Sequence, residues 1–180
     1  MFHSNTELLI DYWRARRGAA ALPARAQIHP ADFPALVPQV FIVGVGERGA
    51  WPIRLAGEFL ADVHGLRLRG GDLIGLWAPN HREALRKGLA AALSASRFLV
   101  VRAEADAGDG EVCALEILFA PLSGPSGVAD RFLGLYQPIG RPPRVGVRLG
   151  KLRMRDISGG AATPASGGLR LAAMDGRRLG

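Results

Sequence analysis

The order of elements in this sequence predicts an α+β fold, an antiparallel sheet of five strands with short helices inserted between strands two and three. Three observations carry the reading. Two short apolar runs between Val40 and Leu55 are separated by turn residues, as in a hairpin. The stretch from Gly57 to about Ala95 carries helix signals only. From Phe98 to Gln137, three runs of strand character follow one another with no helix between them.

Each element has a local reason. Ser4-x-x-Glu7 reads as a capping box ahead of Leu8, Leu9, Tyr12 and Trp13, with Leu8 stacked over Tyr12 and Leu9 over Trp13. Arg14, Arg16 and Arg17 suit the negative end of the helix dipole, and Gly18 ends the helix. Its apolar stripe needs a partner, either the body of the domain or a second chain. Residues 19–39 contain Pro23, Pro30, Pro34 and Pro38, which predicts an extended connector with at most a helical turn. Val40 to Val45 suits a buried strand, Gly46-Glu47-Arg48-Gly49 a turn, and Ala50 to Leu55 the returning strand, with Pro52 favouring an edge. Gly57 to His64 predicts a short helix closed by Gly65, and Asp72 caps another helical turn to Trp77. The longest helix starts at Pro79 and runs to about Ala95, and its apolar residues Ala84, Leu85, Gly88, Leu89, Ala92 and Leu93 repeat at three-to-four spacing. The meander comprises Phe98 to Ala105, Glu111 to Leu122 and Arg131 to Gln137, with Cys113, Leu115, Ile117 and Phe119 on one face of its second strand.

Charge divides the chain. Residues 1–140 hold 14 basic and 14 acidic side chains, whereas 141–180 hold nine basic and two acidic, so the net +7 belongs to the C-terminal segment. A basic nucleic-acid-binding domain is therefore not the reading of the main body. The longest run free of charged residues has 14 residues, Phe33 to Gly46, short of the roughly 18 that a membrane helix needs. The N-terminus lacks the basic-then-apolar order of a signal peptide. The single cysteine, Cys113, excludes an internal disulfide and a multi-cysteine metal cage. A cytoplasmic protein is expected.

Few motifs point to chemistry. Gly44-Val45-Gly46-Glu47-Arg48-Gly49 spells the dinucleotide-binding pattern, but such a site needs a helix to begin inside it, and Trp51-Pro52 interrupts any helix there. The four histidines (His3, His29, His64, His81) form no metal-binding motif, and His64 and His81 read as surface or capping residues. No nucleophile–base set or carboxylate pair stands out, so no catalytic residue, no metal site and no enzyme are expected. No motif specifies a cofactor. Trp77, Leu85, Leu89, Leu115, Ile117, Phe119 and Tyr136 can either line a ligand pocket between helices and sheet or fill an ordinary core.

Several motifs occur in a set order: Trp13-Arg14-x-x-Arg17, Pro23-x-Arg25-x-x-Ile28-x-Pro30, Leu36-Val37-Pro38-x-x-Phe41-Ile42, Arg54-Leu55-Ala56-Gly57, Gly65, Gly75, Trp77 and Pro121-Leu122. As an ordered set over residues 4–140 the sequence resembles a PAS domain, specifically a family of stand-alone proteobacterial PAS-like proteins. The resemblance implies a non-enzymatic sensory or docking module, with a five-stranded sheet curled around short helices and a pocket between them, where either a small ligand or simply the exposed sheet face acts on a partner protein. It further implies a signalling protein partner and homodimerisation through the leading helix, with Leu8, Leu9, Tyr12 and Trp13 at the contact. Cys113 lies in a predicted strand, and the Asn-Cys-Arg motif of flavin-type PAS photosensors is absent, so a buried small hydrophobe is the reading.

The domain organisation expected is a helix and connector over 1–39, the PAS-like domain over 40–140 and a basic tail over 141–180. One more strand is possible over Val145 to Met154, and Ser158 to Gly168 reads as linker. Arg144-x-x-x-Arg148 with Asp156-Ile157-Ser158 resembles part of a cyclic-di-GMP-binding PilZ signature, although Ala161 stands where that pattern has glycine. The alternative function is thus an adaptor whose Arg144, Arg148, Lys151, Arg153 and Arg155 meet a cyclic dinucleotide, nucleic acid or anionic membrane. A solvated tail is the simplest reading of the same residues.

Overall fold

The computed structural model describes residues 1–65, 67–108 and 110–160. Helix α1 (Ser4–Arg17) and a connector of three short 3-10 turns lead into the hairpin β1 (Val40–Gly44) and β2 (Ile53–Ala56). Helix α2 (Glu58–His64), a 3-10 turn (Leu73–Leu76) and α3 (Pro79–Ser94) come next. The meander β3 (Phe98–Asp106), β4 (Val112–Ser123) and β5 (Ala129–Ile139) is followed by β6 (Arg153–Gly160). All pairings are antiparallel, in the spatial order β2-β1-β5-β4-β3-β6.

The sheet therefore has six strands, not five. The sixth arises in the segment expected to be a tail, and it starts later than the possible strand over Val145–Met154. Residues 147–152 carry Val147, Leu149 and Leu152 without joining the sheet, apart from an isolated bridge between Leu152 and Trp77. Leu149 N–H donates to the Val63 carbonyl (2.7 Å) and Leu152 N–H to that of Leu76 (3.0 Å). Leu149 and Leu152 enter the core under the helices, and only then does the chain reach the free edge of β3, from Glu104↔Arg153 to Phe98↔Gly160. The remainder of the expected linker, from Ala161 on, and Arg170, Arg177 and Arg178 lie outside the described residues.

Both faces of the sheet are covered at its centre. On the inner face, Leu115, Ile117 and Phe119 of β4 meet α2, α3 and the 3-10 turn. On the outer face, Val100, Leu118, Ala120, Leu133 and Leu135 lie beneath α1 and the connector, which contributes Leu22, Ile28, Phe33 and Leu36. The partner of the leading helix is thus the domain itself. This corrects the expected dimer stripe: Leu9 and Trp13 are 0% exposed, and the Trp13 indole donates to the Pro121 carbonyl (2.7 Å). Leu8 is half exposed, and the Tyr12 hydroxyl bonds the Asp32 carboxylate (2.8 Å). Thr6, Leu9, Ile10 and Trp13 form the face that is covered. The cap also differs from the capping box, since His3 Nδ1 accepts from Asn5 N–H and Glu7 reaches back to Phe2 N–H.

One close approach sets the register of β1 on β5. Phe41 faces Gly134 across the strands, and its ring occupies the volume that a Cβ would fill. Phe41, Phe119, Phe132 and Trp51 then follow one another at centroid distances of 5.5, 6.0 and 5.6 Å. Replacing Gly134 with Ala should lower stability by about 1–3 kcal/mol through overpacking, read as a lower urea midpoint at unchanged slope. For α1, Trp13→Ala should cost about 3–5 kcal/mol, whereas Leu8→Ala should stay within about 0.5 kcal/mol in the same urea titration.

Candidate functional site

The seven predicted pocket residues come together. Asp72 caps the 3-10 turn by accepting from Ile74 N–H (3.1 Å), and also accepts from Trp51 N–H (2.9 Å), which fixes the turn that delivers Trp77. Leu85 and Leu89, one helical turn apart, project from α3. Leu115, Ile117 and Phe119 project from alternate positions of β4, and Tyr136 of β5 stands directly across from Ile117. All seven belong to one cluster between helices and sheet and are at most 1% exposed.

Two polar groups break this apolar interior. The Trp77 Nε1–H is buried with no hydrogen-bond partner among the described residues. An unpaired buried donor costs about 1–3 kcal/mol relative to a satisfied one. The Tyr136 hydroxyl, by contrast, meets His64 Nε2 at 3.0 Å, and the two rings pack edge to face. His64, read from sequence as a surface residue, is therefore a half-buried member of the site. The available signal was its spacing: Leu60, one turn earlier on α2, is fully buried, so position 64 shares its inward face.

Burial sets the protonation of these groups. His64 is lowered from 6.5 to about 4, first by burial and then by the positive charge of Lys151. Burial raises the Tyr136 hydroxyl well above its ordinary value and also pushes the Cys113 thiol up. The His64–Tyr136 contact is therefore a neutral hydrogen bond at physiological pH. Cys113 faces the inner cluster from β4 as a thiol.

The five basic candidates beyond residue 140 do not form one cluster. Arg144 pairs with Glu111 (2.9 Å), and Arg155 grips Glu104 through Nε (2.8 Å) and Nη2. Lys151 Nζ donates to the Gly75 carbonyl (2.6 Å), and Arg153 faces Glu104 across the β3–β6 ladder. The Arg148 guanidinium lies over Gly65. Among the described residues, no three His, Cys, Asp or Glu side chains are placed to hold a metal, and no helix is long and apolar enough to cross a membrane.

Comparison with known proteins decides the family. The PAS domain family model matches residues 1–137. The chain belongs to the PAS domain family. Among solved structures it is similar to a LOV protein of Rhodobacter sphaeroides, at 18% identity and a TM-score of 0.46, covering 63% of this chain and 70% of that one. It is also similar to an RNA-binding light-oxygen-voltage receptor, at 17% identity and a TM-score of 0.43, covering 64% of this chain and 35% of that one, so it spans about a third of that receptor. No curated protein matches. As a PAS domain the chain is a sensory or regulatory module, and the matched span includes α1, which packs on the sheet as part of the domain.

The depressed His64 value makes stability depend on pH. Between pH 6.5 and about 4 the unfolded PAS chain binds a proton at His64 that the folded chain does not, so stability falls as pH drops through that window. Urea titrations from pH 7 to pH 4.5 should show this loss, and His64→Gln should remove its His64-dependent part, about 2 kcal/mol.

Proposed function

We propose that this PAS domain is a non-enzymatic regulatory module that takes a small ligand between α2, α3 and the sheet and passes the result to a signalling protein partner. The observation that carries the reading is the unpaired Trp77 Nε1–H within the apolar cluster. A donor held there without a protein acceptor matches a ligand that has an apolar body and one hydrogen-bond acceptor. The His64–Tyr136 pair supplies a second polar group at the same layer, where it can donate or accept. Occupancy of this layer would press on α2 and α3, the elements through which a bound molecule alters the outer shape. The protein acts in the cytoplasm and as a homodimer. The dimer uses surfaces other than Leu9 and Trp13, which the sheet already covers.

Native mass spectrometry of the purified protein tests the ligand. A stoichiometric added mass is expected, and Trp77→Phe should lose it while keeping or raising the ligand-free melting temperature, because the substitution removes an unsatisfied donor. A clean ligand-free mass for the wild type, with no ligand found that raises its melting temperature, would refute the ligand clause. Sedimentation velocity tests the homodimer, for which a monomer at all concentrations would be the contrary result.

A further inference from the structure

Two positively charged concavities lie outside the core site. A groove of about 600 Å³ runs between α2 and the connector from Pro143 to Arg148. Phe59, Asp62, Arg67, Arg144, Val147 and Arg148 shape it. An adjoining hollow of about 650 Å³ shares Ala61 and Arg67 and adds Arg54 and Arg69. Five guanidinium groups thus surround the two concavities, and Asp62 is the one carboxylate among their described lining residues.

These arginines are available to differing degrees. Arg67 and Arg148 have no carboxylate within 4.0 Å among the described residues. Arg144 has Glu111, but both side chains are more than half exposed, and such a pair yields easily to a multiply charged competitor. Arg54 has no carboxylate within 4.0 Å among the described residues, and its charge helps to lower the Asp130 carboxyl. Arg148 is exposed, and its far end rests on the end of α2. Its guanidinium fills the space over Gly65, a left-handed residue (φ +60°) that ends α2, and any Cβ there would collide with it. The hydrogen bond from Leu149 N–H to the Val63 carbonyl pins the connector beside it.

We propose that this groove binds a small organic phosphate with a planar apolar body, the chemistry of a nucleoside phosphate. Three arginines, Arg67, Arg144 and Arg148, line one concavity with a single carboxylate, a set that suits a dianion with many acceptor oxygens. Phe59 and Val147 offer apolar contact for the body, and the Asp62 carboxylate can accept from an amino group on it. The volume suits one small molecule. A ligand here would bridge α2 to the connector that leads into β6. The inference does not rest on the core ligand: it uses none of the seven core residues.

Isothermal titration with AMP, GMP and UMP, each beside its phosphate-free nucleoside and beside inorganic phosphate, tests it on the full chain. At least one nucleotide should bind saturably, at least tenfold tighter than its nucleoside and than phosphate. Arg67→Gln and Arg148→Gln should each weaken that binding roughly tenfold. Arg153→Gln and Trp77→Phe should leave it unchanged, the latter separating this site from the core one. Melting curves verify that each variant is folded, and exposed Arg67, with no partner among the described residues, supplies a variant without a structural cost. No saturation at millimolar nucleotide, or equal binding by nucleotide and nucleoside, would overturn the proposal. So would nucleotide binding indifferent to both arginine substitutions. Phosphate binding as tightly as nucleotide would overturn the organic-phosphate class, and binding of a single-stranded oligonucleotide without any mononucleotide would replace it with a nucleic-acid surface.

Discussion

A sheet that is apolar on both faces cannot stand alone in water, and this constraint organises the whole protein. In β4 the odd positions Leu115, Ile117 and Phe119 face one layer, while the even positions Leu118, Ala120 and Leu122 face the other. Each layer needs its own cover. The short helices between β2 and β3 supply the inner one, and α1 with its proline-rich connector supplies the outer one. Helix α1 is thus a structural component. Its Trp13 indole bonds the Pro121 carbonyl near the end of β4.

The same constraint explains where polarity is tolerated. On the outer face, Glu116 is 2% exposed, yet it accepts from His3 N–H at 2.8 Å and sits 3.6 Å from Arg102. The N-terminal residues that cap α1 thereby satisfy a buried carboxylate. On the inner face, Tyr136 finds His64, and burial keeps both neutral. Trp77 on the inner face, like Thr6 Oγ1 and Gln39 Oε1 elsewhere, has no partner among the described residues. A polar group left without a partner in the interior marks a place where the packing is incomplete on its own.

The segment after β5 joins the two readings of charge and fold. Its arginines look like a tail in one dimension. In three dimensions Leu149 and Leu152 plug the inner core, β6 extends the sheet, and Arg144 and Arg155 return to Glu111 and Glu104. Part of the C-terminal charge is therefore attached to the folded domain. Arg148, set over Gly65, joins Arg67 at a single concavity.

Most of the fold was legible from local patterns. The hairpin turn at Gly46–Gly49, the Pro79 start of α3, the Gly65 stop of α2 and the alternation along β4 are each decided within a few residues, where backbone sterics and period dominate. The seven inner-core residues were legible for the same reason, because periodicity puts them on matching faces. What packs against what is decided by contacts between residues far apart in the chain. Sequence left the α1 stripe open between the domain and a second chain, and only the outer sheet face shows that Leu9 and Trp13 belong to the domain. The alternation of Val145, Val147 and Leu149 reads as a strand, yet the bond to Val63 turns it into a strap, and pairing begins at Arg153. His64 became a site residue only when Tyr136, 72 positions away, arrived beside it. Local chemistry thus determined the elements, while burial, which depends on the whole assembled surface, decided their partners.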